Sequence, residues 1–489
     1  MTIRLSKSKL IAFRQCPKRL WLEIHRKDLI IEDESTKLRF EVGHRVGELA
    51  RTQYPDGVLI ATGRDLTLAA KITKAKLLES PRKALFEATF EASGILVQAD
   101  LLVPSKKGWN MAEVKSSTEV KNYHVEDAAI QSWVVRNAGL KLESTFLQLI
   151  DSNWTYPGGF DYSGLLKMEV VDDVIAPLQK EVPKWLKAAQ DVASNAEPDV
   201  KMGRQCNDPF PCAFQGYCES LTEPVQFPIA WLPSLSKEKY EKLEAARTLD
   251  MRQVPSDDLT EKQQRVRHAT INNETYFEPL SAKELKAFRG TRYYVDFETI
   301  NPAVPIWADT RPYQQVPFQW SCHIEKPDGR ISHEMFLDIS GGDPSRQFAE
   351  SLLSAVGKAG PIIVYNQAFE KRIVRELAAR FADLAPALNR MLARVVDLLP
   401  LTREHYYHPD MKGSWSIKSV LPTIAPELDY VNLEEVADGG DAQAAYLQAI
   451  HGGTDADRKA ALENALQVYC CRDTEAMVRL LKFLSCDLS

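Results

Sequence analysis

The chain has 489 residues, of which 44% are hydrophobic and 26% are charged, and this balance excludes a largely disordered protein. At about 100–200 residues per domain, the length predicts two or three domains. The net charge of −6 excludes a protein that coats DNA by bulk positive charge, but it permits an enzyme with a local basic groove. No run of about eighteen apolar residues occurs, so we expect neither a membrane span nor a membrane partner.

The N-terminal segment is basic and has neither an apolar core region nor a small-residue cleavage site, so we expect a cytoplasmic protein. Its eight cysteines are then expected to be reduced, metal-bound or buried. Residues 1–30 hold eight Lys and Arg against two acids, whereas residues 421–489 hold twelve acids against five bases. Two solvated helix faces explain this asymmetry as well as a phosphate-binding face does. The bases that would contact nucleic acid near the N-terminus are Lys7, Lys9, Arg14, Lys18 and Arg19.

Residues 84–117 contain three β-rich runs separated by the turn signals EASG and SKKG, which predict an antiparallel meander. The following segment has Ala129, Ile130, Trp133 and Val134 at helical spacing. A strand-like run, LESTFLQLID, and a further helix come next. We therefore expect a small mixed sheet flanked by helices.

Two carboxylates and a lysine stand close together in this predicted meander. Glu113 and Lys115 share a face because residues i and i+2 of a strand point the same way, and Asp100 ends the neighbouring run. Two carboxylates at this spacing make a hard oxygen site for Mg²⁺ or Mn²⁺, and the lysine can position water and stabilise charge on a phosphate. Gln131 on the next helix can orient Lys115, and His44 is a candidate further metal ligand.

This pattern resembles the RecB-like branch of the PD-(D/E)xK nuclease superfamily, in which an Asp, a Glu-x-Lys and a downstream helix Gln form the site. The resemblance implies a restriction-endonuclease-like core. It also implies the catalytic residues Asp100, Glu113, Lys115 and Gln131, with His44 as a metal ligand. Surface ion pairing is the alternative explanation of a D…ExK string on its own.

Four cysteines have the composition of a metal site, with one far from the other three: Cys16, Cys206, Cys212 and Cys218. Four thiolates hold either a tetrahedral zinc or a [4Fe–4S] cluster, and the residues leave both open. One Cys before the catalytic core and three after it resembles the iron–sulfur RecB-type nucleases, including AddB and the CRISPR-adaptation exonucleases. Their tail is usually C-x2-C-x5-C, whereas five residues separate each pair here.

Residues 221–285 predict polar helices broken by Pro233 and Pro255, after which TRYYVDFETI and PIIVYN predict strands. The last segment, 458–484, predicts a long amphipathic helix. We therefore expect an α/β protein of two domains: a first domain at 1–222, a helical connector at 223–288 and a second domain at 289–489.

The second block also carries a set of acids. Asp296 and Glu298 lie on one strand face, Glu370 opens a helix, and Tyr469 stands one turn before Asp473. Such acids can bind two divalent ions about 3.5–4 Å apart, as two-metal phosphoryl transfer requires. The set resembles the DEDD exonucleases of the DnaQ-like, RNase H-type fold in their Y-x-x-x-D subtype, with Glu370 where an Asp is usual. Surface acids on such a scaffold are the alternative.

The surrounding segments PYQQVPFQWSCHIE, VYNQAFEKRIVRELA, GSWSIKSVLP and YCCRDTEAM resemble a bacterial family catalogued as domain of unknown function 2779, over roughly 290–489. Its members often carry a RecB-like N-terminal region. Gly413, Ser414, Ser416 and Lys418 are expected either to form a polar loop beside the substrate, with Lys418 contacting nucleic acid, or to be a structural turn.

These resemblances imply a metal-dependent nuclease acting on nucleic acid, with single-stranded DNA ends favoured and RNA open. Mg²⁺ or Mn²⁺ would serve the two acidic centres, and a [4Fe–4S] cluster or Zn²⁺ would occupy the cysteines. Two alternatives stay open: one active centre beside a degenerate binding module, and a zinc-clipped regulator without chemistry. The sequence does not indicate which protein partners, which cleavage polarity or which oligomeric state the protein has.

Overall fold

The computed structural model describes residues 3–31, 34–63, 65–428 and 435–486, with the backbone alone for residues 34–38. The expected α/β class is confirmed, because helices and sheets occur in both of the compact units that the chain forms. Unit 1 comprises Met1–Glu223 with Pro302–Gln314, and unit 2 comprises Pro224–Asn301 with Gln315–Ser489. The division differs from the expected one in two places. The predicted connector, 223–288, groups almost entirely with unit 2, and the segment 302–314 groups with unit 1.

Unit 1 is built on a mixed sheet. Its strands are β1 (Leu5–Ser6), β2 (Val58–Leu59), β3 (Leu85–Ala92), β4 (Ile95–Pro104), β5 (Trp109–Lys115), β6 (Leu142–Ile150) and β7 (Leu166–Val170). They stand in the order β2-β3-β4-β5-β6-β7, and β1 pairs with the start of β4. The predicted meander is confirmed, since β3, β4 and β5 are antiparallel neighbours, whereas β5 and β6 are parallel.

The tight turn between β3 and β4 explains how the meander begins. Ala92 pairs with Ile95, so the loop has two residues, Ser93 and Gly94. Both have left-handed backbone angles, φ 52° and 79°, as a type I′ turn requires. This turn type matches the twist of the two strands and sets the register that carries through β4.

The helices of unit 1 cover this sheet. They are α1 (Lys7–Gln15), α2 (Pro17–His25), α3 (Glu34–Thr52), α4 (Leu66–Lys76), α5 (Asn122–Asn137), α6 (Asp172–Gln179), α7 (Val182–Ser194) and α8 (Gln215–Ser220). Leu10 of α1, Val134 of α5 and Leu186 of α7 share one buried cluster with Val97 and Met111 of the sheet. This packing fixes α1 and α5 over the strands that carry the candidate site.

The segment 302–314 is held within unit 1 by backbone and tyrosine hydrogen bonds. The amide of Tyr156 donates to the carbonyl of Thr310 (2.9 Å), and the Tyr162 hydroxyl donates to the carbonyl of Pro305 (3.2 Å). The Tyr313 hydroxyl donates to the carbonyl of Ser116, just after β5. Sequence patterning gave no sign of this arrangement because every partner is distant in the chain.

Unit 2 contains a larger sheet and a separate strand pair. The strands are β8 (Tyr276–Phe277), β9 (Arg292–Ile300), β10 (Val316–Glu325), β11 (Ile331–Leu337), β12 (Ile362–Val364), β13 (Val395–Asp397) and β14 (Tyr406–Tyr407). The order of the five-stranded sheet is β11-β10-β9-β12-β13, and β8 pairs with β14. Strands β9, β10 and β11 are antiparallel, and β12 runs parallel to β9 and β13.

Helices lie on both faces of the five-stranded sheet. The α-helices of unit 2 are α9 (Lys237–Ala245), α10 (Glu261–Asn272), α11 (Ser345–Ala355), α12 (Ala368–Arg380), α13 (Ala385–Leu392), α14 (Leu398–His405), α15 (Ile417–Ile424), α16 (Gly439–Ile450) and α17 (Ala456–Leu484). In the described ranges, none of the helices has both the length and the apolar character that crossing a bilayer requires.

Alternation along β9 decides which side chains meet α17. Val295 and Phe297 enter a core cluster with α11 and α12, whereas Tyr294 enters a cluster with Met477 of α17. Because strand side chains alternate between faces, the even-numbered positions of β9 face α17. The acids at 296 and 298 are therefore directed toward the long helix.

Candidate functional sites

The first site lies where α1 and α5 cross β4 and β5, and its members are Asp100, Glu113, Lys115, Asp127, Gln131 and Lys7; we call it the carboxylate–lysine centre. Glu113 and Lys115 share a face of β5 as predicted, and the Lys115 Nζ lies 2.7 Å from the Glu113 Oε1. Gln131 donates to the other Glu113 oxygen. The Asp100 Oδ2 accepts from the amide of Val114 (2.8 Å). The structure thus brings together four of the five residues that the sequence indicated.

Two members of this centre were missed by the sequence interpretation. The Lys7 Nζ donates to the Glu113 Oε1 (2.8 Å) and lies 3.2 Å from the Asp127 Oδ1. Asp127 also accepts from Lys115 (2.5 Å). Asp127 stands one helical turn before Gln131, and that i, i+4 spacing was a usable signal. Lys7 gave no comparable signal, because it comes from another helix.

Buried charges in the carboxylate–lysine centre shift one another's pKa values. Burial and the neighbouring Glu113 raise the pKa of Asp100 well above its usual range. Burial alone would raise the pKa of Asp127, but Lys115 and Lys7 outweigh it and hold that pKa low. Burial disfavours charge on Lys115, yet Asp127 and Glu113 raise its pKa. Lys115 is therefore a cation here, which suits it to stabilise an anion rather than to remove a proton.

His44 lies on α3 and is exposed. Its charge contributes to the field at Glu87, a partly buried residue of β3 whose pKa burial and Glu113 raise. Within the described residues, His44 does not come together with Asp100 and Glu113 as a tight group of ligand atoms. The expected role of His44 as a metal ligand stays a prediction, and Glu87 is an acid that the sequence interpretation overlooked.

The four predicted cysteines line one small pocket of unit 1. Cys16 lies between α1 and α2, and the amide of Cys212 donates to the carbonyl of Cys206 (2.8 Å). Burial raises the pKa of both Cys212 and Cys218, and the other thiols of the set raise it further. Cysteines nearly two hundred residues apart in the sequence therefore lie around one pocket, as a shared metal site requires.

Each of the five N-terminal bases pairs with an acid, and their predicted contact with nucleic acid stays a prediction. Lys7 belongs to the carboxylate–lysine centre, and Lys18 is buried with its Nζ 2.8 Å from Glu197. Lys9 and Arg19 both bond to Glu23, and Arg14 bonds to Glu126. The acids that neutralise them come partly from distant segments, which a count of local charge does not detect.

The second site is a cavity of about 290 Å³ in unit 2, which we call the acid cavity. Asp296 and Glu298 of β9 and Tyr469 and Asp473 of α17 line it together with Lys418. The predicted pairing of strand and helix acids is therefore observed in the structure. Four of the five residues predicted for the second acidic centre therefore line the acid cavity.

Burial and, after it, repulsion between carboxylates raise the pKa values of acids in the acid cavity. Burial, followed by Asp473 and Glu298, raises the pKa of Asp296 well above its usual range. Burial and Asp473 raise the pKa of Glu298 to about 8, although Lys418 opposes this. Carboxylates that crowd together without enough positive charge take up protons, and a bound cation would favour their ionised forms.

Glu370 does not line the acid cavity. It is 4% exposed near the start of α12, and its Oε2 makes no hydrogen bond within the described residues. Burial and Asp397 raise its pKa to about 8, and its charge contributes to the field at Asp296. Glu370 is therefore a buried acid outside the cavity lining that still acts electrostatically on Asp296.

Asp397 is the N-cap residue of α14. Its Oδ1 accepts from the amides of Asn366 (2.9 Å) and Leu399 (3.0 Å), and its Oδ2 accepts from the amide of Gln367 (3.1 Å). These bonds begin α14 and hold the backbone of Asn366, whose φ is 74°. Asp397 thus shapes the loop that leads into α12.

Cys470 lies beside the acids of the cavity and was not assigned from sequence, whereas Lys418 is a predicted residue that the structure places in the cavity lining. The thiol of Cys470 is fully buried, and its sulfur lies within 4.8 Å of ligand oxygens of Asp296 and Glu298. Burial raises its pKa well above the usual value, so it is a neutral thiol. The Lys418 Nζ lies 5.0 Å from the centre of the Tyr469 ring and donates to the carbonyl of Ala437 (2.6 Å).

A larger cavity of about 570 Å³, which we call the basic cavity, shares Tyr365 and Ile417 with the acid cavity. Lys262 of α10 and Arg403 of α14 line it, and neither forms an ion pair within the described part of the chain. The other polar lining residues are Ser234, Asn366, Ser414 and Ser416. The predicted polar loop thus divides between the cavities, with Gly413, Ser414 and Ser416 on the basic one and Lys418 on the acid one.

Comparison with known proteins supports the expected family resemblance for part of the chain. Residues 293–416 match the family described as "Domain of unknown function (DUF2779)". The matched segment includes Asp296, Glu298 and Glu370, whereas Tyr469 and Asp473 follow it.

Three curated bacterial proteins are similar to the chain over less than half of its length. It is 25% identical over 213 residues to "Uncharacterized protein MG366 homolog" of Mycoplasma pneumoniae, covering 40% of this chain and 32% of that one. It is 22% identical over 251 residues to "Uncharacterized protein UU173" of Ureaplasma parvum, covering 44% and 36%. "Uncharacterized protein MG366" of Mycoplasma genitalium is 22% identical over 215 residues, covering 40% and 32%. The chain thus spans about a third of the length of these relatives.

Proposed function

We propose that the protein is a metal-dependent nuclease that hydrolyses phosphodiester bonds, with single-stranded DNA ends as the favoured substrate and RNA as the second choice. One observation carries the proposal: Asp296, Glu298 and Asp473 line one open cavity, in which burial and the neighbouring carboxylates raise the pKa values of Asp296 and Glu298. Acids that repel one another in a cleft are typical of functional sites that bind a cation. The resemblance to DEDD exonucleases of the RNase H-type fold supports the same reaction.

The donor set of the acid cavity fits Mg²⁺ or Mn²⁺, because these ions prefer carboxylate oxygens and keep several waters. Asp296, Glu298 and Asp473 would hold the ion. When bound there, such an ion would neutralise charge on a phosphate and lower the pKa of a bound water. Glu370, a buried acid that acts electrostatically on Asp296, would add negative charge near the site only when it is ionised.

The remaining residues of unit 2 supply substrate contacts. Lys418 brings a positive charge to the side of the acid cavity where Tyr469 and Glu298 stand. In the adjoining basic cavity, Lys262 and Arg403 would bind backbone phosphates of the same strand, and three serines would donate to phosphate oxygens. A polyanion passing from one cavity to the other would therefore meet bases first and acids at the bond to be cut.

The carboxylate–lysine centre of unit 1 is the second candidate nuclease centre, of the PD-(D/E)xK kind. Asp100 and Glu113 would hold a divalent ion, and the cationic Lys115 would stabilise a phosphate. Lys7 and Lys115 both bond to the Glu113 Oε1, so an ion would have to compete with them. This competition favours the alternative in which unit 2 alone is catalytic and unit 1 only binds nucleic acid or a partner.

For the cysteines we propose a [4Fe–4S] cluster rather than zinc. Around a tetrahedral zinc with bonds of about 2.3 Å, the sulfur atoms stand about 3.8 Å apart. No three of the four cysteine sulfurs form a group within 4.8 Å among the described residues. A [4Fe–4S] core, which is larger than a single zinc ion, does not need so tight a group of sulfurs.

The test is cleavage of end-labelled DNA and RNA, single- and double-stranded, by metal-loaded full-length protein. We expect Asp296→Asn to abolish cleavage of single-stranded DNA and Glu404→Gln, an exposed acid of α14, to leave it unchanged. If unit 1 contributes a second nuclease activity, Lys115→Ala should reduce cleavage; unchanged cleavage would leave unit 2 as the catalytic one. Intact substrates in every reaction would refute the proposed function.

A further inference from the structure

Two histidines and a cysteine of unit 2 converge away from the acids that the proposed nuclease uses. His323 of β10 and His333 of β11 are direct cross-strand partners, and Cys471 lies on α17. One ligand atom of each lies within 4.8 Å of the others, and all three side chains are partly exposed. Nothing in the proposed phosphodiester chemistry accounts for this group.

Strand and helix periodicity explain how the group forms. Cys322 and Ile324 enter the cluster on the opposite sheet face, so His323 is directed toward α17 together with Ser321. On α17, Cys470 faces the acids, and the next residue is turned about 100° around the helix axis. Cys471 therefore faces the two histidines rather than the acid cavity.

Both imidazoles are held by one hydroxyl pair. The Thr474 Oγ1 lies 2.8 Å from the His323 Nδ1, and the Ser321 Oγ lies 2.8 Å from the His333 Nε2. The two hydroxyls are also 2.8 Å from each other. The opposite nitrogen of each ring makes no hydrogen bond within the described residues, so it is available to a ligand. Metal-bound histidines are commonly oriented in this way through their second nitrogen.

The charged groups around the three side chains favour a cation. Glu475, one turn after Cys471, acts electrostatically on both Cys471 and His333. Glu334 follows His333 on β11 and adds further negative charge, whereas Arg472 opposes it. Of the charged groups that act on His333 and Cys471, two are carboxylates and one is a guanidinium.

We propose that His323, His333 and Cys471 bind a zinc ion, with the fourth coordination position open to water or to an added ligand. Two imidazoles and a thiolate suit Zn²⁺ and do not suit the oxygen-preferring Mg²⁺ or Mn²⁺ of the acid cavity. On binding, the Cys471 thiol loses its proton to solvent and its sulfur forms the metal bond. The site stands independently of the proposed nuclease function.

The first test measures zinc content in full-length protein after equilibrium dialysis against zinc. Cys471→Ser and His333→Ala are each expected to lose one zinc equivalent relative to the wild type. Cys486→Ser, which changes an exposed thiol, is the matched control and should keep it. Cys471→His should restore the lost equivalent, since imidazole is also a zinc ligand. Equal zinc content in the wild type and both ligand variants would overturn the proposal.

A second measurement needs no substitution and so does not depend on the variants folding. Zinc should protect Cys471 of the wild type from alkylation, as mapped by peptide mass spectrometry, while Cys486 reacts at an unchanged rate. Thr474→Val should weaken zinc binding about 10–100-fold, because it removes the hydroxyl that holds His323. Alkylation of Cys471 at the same rate with and without zinc would contradict the assignment.

Discussion

Replacing Glu298 by glutamine is expected to stabilise the metal-free protein while removing its activity. The pKa of Glu298 rises from 4.5 to about 8 through burial and the nearby Asp473. A group with a raised folded-state pKa contributes stability below its unfolded pKa and loses it as pH rises toward the folded value. The wild type should therefore become less stable between pH 4.5 and about pH 8.

The size of this effect follows from the distance between pH 7 and the unfolded pKa of 4.5. That distance is about 2.5 units, at about 1.4 kcal/mol per unit, so keeping Glu298 protonated in the folded protein costs about 3 kcal/mol at pH 7. Glutamine does not titrate and is isosteric with the protonated acid. For a unit of this size, Glu298→Gln should raise the melting temperature by about 6–12 °C in EDTA.

Thermal melts at pH 5 and pH 7, with EDTA or with Mn²⁺, measure the prediction. The variant should gain over the wild type at pH 7 much more than at pH 5. Mn²⁺ should stabilise the wild type more than the variant, because only the wild type keeps all three carboxylates. Glu404→Gln should melt like the wild type in every condition. If Glu298→Gln melts no higher than the wild type in EDTA at pH 7, the raised pKa inferred for Glu298 is wrong.

Three further predictions concern other parts of the chain. Arg403→Ala should raise KM for single-stranded DNA with kcat nearly unchanged, and should flatten the dependence of KM on salt; an unchanged salt slope would count against phosphate binding in the basic cavity. Cys212→Ser should remove the iron and the visible colour from anaerobically purified protein; iron content equal to that of the wild type would exclude Cys212 as a ligand. Gly413→Ala should destabilise unit 2 by more than about 1 kcal/mol in denaturant titrations, because φ is 79° and a Cβ would meet the carbonyl oxygen of Trp231; unchanged stability would show that the loop relaxes.

Strand alternation and helical spacing correctly predicted which side chains of a single element lie on the same face. Alternation on β5 and β9 correctly put Glu113 beside Lys115 and put Asp296 on the face of Glu298. Helical spacing likewise placed Tyr469 and Asp473 on one side of α17. In each case two side chains of one element were compared, and the period of that element determined their relation.

Relations between distant elements were beyond such patterns. Lys7 reaches Glu113 across more than one hundred residues, and nothing near Lys7 in the sequence indicates that partner. The N-terminal bases looked like a phosphate-binding face because Glu126 and Glu197, which neutralise two of them, come from other helices and loops. Glu370 opens a helix as predicted but does not line the cavity, because its position depends on how α12 packs.

The most direct measurement of the central claim is the release of labelled nucleotides from end-labelled single-stranded DNA in Mn²⁺, by the wild type and Asp296→Asn. We predict release by the wild type and a loss of at least about a hundredfold in the variant, as expected when a catalytic electrostatic group is removed. Equal release by both proteins would contradict the assignment of phosphodiester hydrolysis to the acid cavity.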